Sequence, residues 1–186
     1  GTALSDAMDV EKRRGISVKA SALSFPWRDV RINLIDTPGH VDFSAEVERS
    51  LRILDCAVLV LSAVEGIQTH TELIWHALEA LDIPVLLFIN KIDRVGADAA
   101  GVLAALRREF SPEMVLLNRP AEEGDASASV SDLLPEQQAE ALEMIASKDD
   151  ALLERYLNEE TISPSDLAHA LSASVRTRQL FPVICG

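Results

Sequence analysis

The stretch from Ile83 to Asp93, IPVLLFINKID, decides the fold. Pro84 opens five apolar residues in a row, Val85 to Ile89, with none of the polar alternation of a half-buried strand. A short unbroken run of this kind predicts a strand buried on both faces, as in a parallel sheet covered by helices. It ends abruptly in Asn90-Lys91-Ile92-Asp93. Upstream, Ala57 to Ala63 is a second such run with one Ser, Ser62, in it. Between the two, from about Gln68, the residues Leu73, Ile74, Ala77, Leu78 and Leu81 form the apolar stripe of a helix. Trp75 lies off that stripe and reads as a half-buried surface residue. Downstream, an alanine-rich helix is predicted over about Asp98 to Phe110.

Nearer the start, Ile16 to Phe25 alternates apolar and small polar residues. Pro26-Trp27-Arg28-Asp29 breaks the pattern, and Val30, Ile32 and Leu34 resume it, so a hairpin is predicted. Asp36-Thr37-Pro38-Gly39-His40 ends its second strand, and Val47, Leu51 and Leu54 place a helix reaching about Asp55. Ser111 to Val130 reads as irregular connection. Helices are expected from Pro135, a residue favoured in a first helical turn, from about Ala151 to Asn158, and briefly near Ser165. Phe181 to Cys185 reads as a last buried strand. A hairpin followed by alternating helices and buried strands makes an α/β fold with a mainly parallel sheet and helices on both faces.

Length and composition fit one domain with a small insert. The chain has 186 residues, is 48% apolar and 25% charged, and carries 17 Lys+Arg against 30 Asp+Glu for a net charge of −13. Residues 109–186 hold 5 of the basic and 15 of the acidic side chains. Such acidity excludes a broad basic face for nucleic acid, which needs many Lys and Arg contacts to phosphate. The acidic stretch is expected to lie on an outer surface. No apolar run is long enough to span a bilayer, no leader-like segment opens the chain, and Cys56 and Cys185 sit in apolar stretches as buried thiols would. A cytoplasmic location is expected.

Two loops stand at the C-terminal ends of strands, where open α/β sheets bind ligands. In Asp36-Thr37-Pro38-Gly39-His40, the carboxylate can hold a hydrated magnesium ion through water. Gly39 lets a backbone N–H approach a terminal phosphate closely. In Asn90-Lys91-Ile92-Asp93, the Asp93 carboxylate can accept two parallel hydrogen bonds from the N1–H and 2-amino groups of guanine. Adenine offers neither donor, and an unpaired buried carboxylate costs several kcal/mol, or roughly 10²-fold in selectivity. The Lys91 stem can lie over the base, and Asn90 can tie the loop together. Asp36 and Asn90 are 54 positions apart, the length of two strand–helix units, which puts both loops on one sheet edge. A third element, Glu11 to Ser17, offers the Ser17 hydroxyl as a direct magnesium ligand.

Arg14-Gly15-Ile16-Ser17, Asp36 to His40 and Asn90 to Asp93, in this order and spacing, resemble the GTPase domain of translational GTPases. The match from Met8 to about Asp98 is similar to the elongation factor G branch, with Asp42-Phe43, Glu46-Val47 and Arg49-Ser50-Leu51 among its residues. Ser24-Phe25-Pro26-Trp27, Leu81-Asp82-Ile83-Pro84 and Asp150 to Tyr156 most resemble the tetracycline-resistance ribosomal protection proteins. The resemblance implies a P-loop NTPase-like fold, GTP or GDP as ligand with Mg²⁺, and a GTP-hydrolysing switch on the ribosome. It makes Ser17 a magnesium ligand where the family usually has Thr, and Ile16 one wing of an apolar gate. Asp36 then binds magnesium through water, Gly39 donates to the γ-phosphate and His40 positions the attacking water. Asn90, Lys91 and Asp93 read guanine. It divides the chain into a GTPase core over 1–110, an acidic, largely helical insert over 111–178, and a last core strand over 179–186. The alternatives are a GTPase like the class II release factors, which share Ser at the position of Ser17, or a scaffold domain without turnover. The family's phosphate loop, Gly-x-x-x-x-Gly-Lys-Ser/Thr, does not occur in the sequence. The piece is therefore expected to lack the first strand of the fold and to bind GTP weakly.

Overall fold

The computed structural model describes residues 21–37 and 50–186. The chain divides into two compact units, residues 1–54 and 55–186. Ile16, Ser17, Pro38, Gly39, His40 and most of the helix expected before Asp55 lie outside the described residues. Of that helix, Ser50 and Leu51 are helical, and a turn follows at Arg52 and Ile53, short of the expected Asp55.

In the first unit, strand β1 (Ser21–Trp27) pairs antiparallel with β2 (Val30–Asp36). The strand does not break at Pro26 as expected. Pro26 sits opposite Arg31 inside the ladder, and the two-residue turn is Arg28-Asp29, with Arg28 at φ 51°. A two-stranded ribbon tolerates this, because each strand is an edge and a proline need not donate to a neighbour. The register brings Leu23 opposite Leu34, Phe25 opposite Ile32, and Trp27 opposite Val30. Six large apolar side chains thus share one face of the hairpin.

The second unit is built on a parallel sheet of four strands: β3 (Ala57–Ser62), β4 (Val85–Asn90), β5 (Met114–Leu116) and β8 (Phe181–Cys185). Their order across the sheet is β3-β4-β8-β5. Helix α1 (Thr69–Ala80) joins β3 to β4, and α2 (Ala99–Glu109) joins β4 to β5. Asp98 caps α2 by accepting the Gly101 N–H at 2.9 Å, the short polar acceptor that a helix start favours.

The parallel register puts Leu59, Leu61, Val85, Leu87, Ile89, Phe181 and Val183 on one face of the sheet, and all are buried. Trp75 of α1 packs there, stacked on Phe110 at 4.8 Å and edge-on to Phe181 at 5.0 Å. It is 2% exposed, which corrects the half-buried reading. The helical stripe that covers the sheet is rotated toward Trp75 and Leu78, and Leu73 is exposed instead. Arg178 lies over the Trp75 and Phe181 rings and donates to the Ile83 carbonyl.

β3 is not buried on both faces. Among the described residues it is the edge strand of this sheet, with Val58 and Val60 exposed while Leu59 and Leu61 are buried. Cys56 is exposed and only Cys185 is a buried thiol.

The stretch read as irregular holds β5 in the main sheet and a small antiparallel hairpin, β6 (Arg119–Ala121) with β7 (Ser129–Ser131). Each is three residues long, too short to show a period. Three helices follow: α3 (Pro135–Ala146), α4 (Asp150–Leu157) and α5 (Pro164–Arg176). Asp149 and Ser163 cap α4 and α5. Val115, on the second face of the sheet, joins Ala141, Ile145, Ala146, Leu152 and Ala170 in one buried cluster. Helices α3, α4 and α5 therefore cover the sheet from the side opposite α1.

A candidate nucleotide-binding edge

Ser62 and Asn90 are in register at the ends of β3 and β4, so the loops that follow leave the sheet at one level. The Ala63 N–H donates to the Asn90 carbonyl at 2.8 Å, and the Asp98 N–H donates to the Ala63 carbonyl at 2.9 Å. The Asn90 side chain turns back onto its own loop, its Oδ1 accepting the Lys91 N–H at 2.8 Å. The bond joins the Asn90 side chain to the residue that follows it. Lys91 is left-handed at φ 66°, a conformation that costs a non-glycine residue about 1 kcal/mol. Such strain collects where a backbone is held for a purpose.

Beyond Lys91, Ile92 is buried and anchors the loop, while Asp93 is exposed. Arg94 Nε lies 3.7 Å from the Asp93 carboxylate. The Lys91 ammonium is 3.3 Å from the Glu65 carboxylate on the neighbouring loop. Hydrogen bonds from Ser62 and Lys91 hold the Glu65 carboxyl below its usual range. A cavity of about 200 Å³ opens here, bordered by Ser62, Glu65, Gln68, Thr71, Asn90 and Lys91.

The edge is braced from two further segments that the sequence reading did not single out. Gly124, between β6 and β7, donates its N–H to the Ile92 carbonyl at 2.8 Å. Its neighbour Glu123 accepts the Ala99 N–H at the start of α2 at 2.6 Å. Part of the acidic stretch after residue 109 therefore reaches this edge, where an outer surface was expected. Asn118 makes a two-way clasp with Cys185. Its Nδ2 donates to the Cys185 carbonyl at 3.0 Å and its Oδ1 accepts the Cys185 N–H at 2.7 Å. Burial, with the Glu123 charge nearby, pushes the Cys185 thiol up to about 11. No motif marks Glu65, Glu123 or Asn118, because each acts through a partner distant in sequence.

Asp36 closes β2 in the first unit and, like Thr37, is partly exposed. The structure thus gathers Asn90, Lys91, Ile92 and Asp93 at one edge and describes Asp36 and Thr37 at the end of the hairpin. Among the described residues no three His, Cys, Asp or Glu side chains cluster as a metal site. A larger cavity of about 920 Å³ lies among α3, α4 and α5. Apart from Gln138, Ser163, Glu159 and Glu160 its lining is apolar or aromatic, so it lacks the convergent polar groups of the sheet edge.

Residues 1–186, the whole chain, match the elongation factor Tu GTP binding domain family. The chain belongs to that family. This GTP-binding domain is 39% identical over 188 residues to the tetracycline resistance protein TetP of Clostridium perfringens. It is 41% identical over 191 residues to an oxytetracycline resistance protein of Streptomyces rimosus. Elongation factor G 2 of Syntrophomonas wolfei is 35% identical over 214 residues. Each alignment covers 100% of the domain but only 29%, 29% and 31% of the relative, so the chain spans less than a third of their length. A crystal structure from Thermus thermophilus superposes with a TM-score of 0.86 at 27% identity, covering 100% of this chain and 32% of that one. The fold is the α/β GTPase fold of this family, with a parallel sheet between helices.

Proposed function

We propose that this chain is the guanine-nucleotide-binding part of a GTPase that works on the ribosome in the cytoplasm, in the manner of elongation factor G and the ribosomal protection proteins. The observation that carries the reading is the loop Asn90 to Asp93 at the end of β4, tied by Asn90 and anchored by buried Ile92, with the Asp93 carboxylate left in solvent. Resistance proteins and elongation factor G among the relatives support it.

In this reading Asp93 accepts the guanine N1–H and 2-amino hydrogens, the Lys91 stem lies over the base and Asn90 fixes the loop. Thr37 and Pro38 carry the chain from Asp36 to Gly39, whose N–H meets the γ-phosphate. Asp36 and Ser17 would hold magnesium. One carboxylate and one hydroxyl suit this ion, which keeps several waters and takes its other ligands from phosphate. When bound, the ion neutralises charge on the phosphates during hydrolysis. His40 orients the attacking water, and Ile16 shields it.

The test uses the full-length protein. Fluorescent mantGDP is expected to bind at least 100-fold more tightly than mantADP, the roughly 10²-fold selectivity that an unpaired carboxylate enforces, and ribosomes are expected to accelerate GTP hydrolysis. Equal affinity for the two nucleotides overturns the guanine reading; a hydrolysis rate that ribosomes leave unchanged overturns the ribosomal one.

A further inference from the structure

We propose that Glu65 is a positioning residue for the guanine-reading loop, acting through the Lys91 ammonium; this rests on the reading of that loop given above. Three observations converge on it. The first is the turn after β3, which holds Glu65 in a fixed place. Ser62 Oγ accepts the Val64 and Glu65 N–H groups at 3.2 Å each, and the Gly66 N–H donates to the Ser62 carbonyl at 2.9 Å. Gly66 sits at φ 64°, which a residue without a Cβ adopts freely.

The second is the backbone of Lys91, which is already fixed by the Asn90 side chain and by its left-handed conformation. The four-carbon stem is the part of the residue left free to move. The third is the register of Ser62 with Asn90, which sets the two loops side by side so that Glu65 Oε2 meets Lys91 Nζ at 3.3 Å. A tethered ammonium fixes both ends of the stem. The stem that would cover the base is then ordered before nucleotide arrives, and less entropy is lost on binding.

The pair is half exposed, 50% for Lys91 and 53% for Glu65, so its effect is modest and sensitive to salt. In the full-length protein, stopped-flow release of mantGDP is expected to be roughly two- to fivefold faster in Glu65→Ala and Glu65→Gln, the size expected of such a pair. Glu65→Asp is expected to restore part of the loss. In a Lys91→Met background Glu65→Ala is expected to change nothing further, because the group it acts through is gone. A purely structural role for Glu65 would persist in that background. Unchanged release in Glu65→Gln, or full additivity with Lys91→Met, overturns the proposal while leaving guanine preference intact. A wild-type protein that fails to prefer mantGDP over mantADP overturns the underlying reading and this proposal together.

Discussion

In the proposed reading a single carboxylate, that of Asp93, carries base selection, so the substitution that removes one charge should change which base is read. Asp93→Asn turns an acceptor pair into one acceptor and one donor, which matches the second carbonyl of xanthine. Full-length Asp93→Asn is expected to lose GDP affinity by about 100-fold or more and to gain affinity for xanthosine diphosphate, measured by competition against mantGDP. Unaltered base preference would remove Asp93 from its role. His40 stands in the motif that closes the hairpin strand. His40→Ala is expected to keep nucleotide affinity within about twofold of wild type while ribosome-stimulated hydrolysis falls by roughly 10²-fold or more. Single-turnover hydrolysis with and without ribosomes checks this.

At the level of elements, the sheet edge depends on contacts that cross between distant segments. Leu117 N–H still pairs with the Val183 carbonyl at 2.9 Å, and the Asn118 side chain then continues the β5–β8 ladder by one amide. Asn118→Ala leaves the Cys185 N–H and carbonyl without these partners. A cost of about 2 kcal/mol is expected, read as a melting temperature lower by roughly 5 °C. The same level explains what the sequence showed and what it hid. Val85 to Ile89 and Ala57 to Leu61 declared themselves as strands because unbroken apolar runs of that length have few other uses. Asp98 and Pro135 marked helix starts by local chemistry. The strands β5, β6 and β7 left no pattern, since three residues cannot display a period of two, and their pairing partners lie up to 67 positions away. Trp75 escaped because helical spacing gives the direction of a side chain but not which neighbour it will meet. Exposure at Val58 and Val60 likewise shows that one face of β3 is left uncovered, which apolar content alone does not reveal. The loop Asn90 to Asp93 was legible as a unit, whereas Glu65 and Glu123 became visible only with the fold.

Across the whole molecule, titration and charge have readable consequences. Cys185 keeps its proton in the folded chain up to about 11, against an ordinary value of 9.0. Between those two values the unfolded chain has released the thiol proton and the folded chain has not. Unfolding therefore becomes easier as pH rises, by about 2 kcal/mol across the interval. Urea denaturation at about pH 9 and about pH 11 should show this loss, and Cys185→Ala should lack that part of it. At about pH 8 a thiol reagent should modify exposed Cys56 quickly and Cys185 only after denaturation. The net charge of −13 remains a statement about surface, but Glu123 shows that part of it is structural, committed to a helix start rather than to solvent.

The two tryptophans occupy opposite extremes. Trp27 at the hairpin tip is 58% exposed, and Trp75 is 2% exposed, stacked on Phe110 and edge-on to Phe181. A water-soluble collisional quencher such as iodide can reach one indole and not the other. The chain thus carries an intrinsic optical probe on the apolar face of its hairpin: a ligand or partner that covers Trp27 will shift its emission to shorter wavelength and shield it from iodide, while Trp75 supplies a constant internal reference.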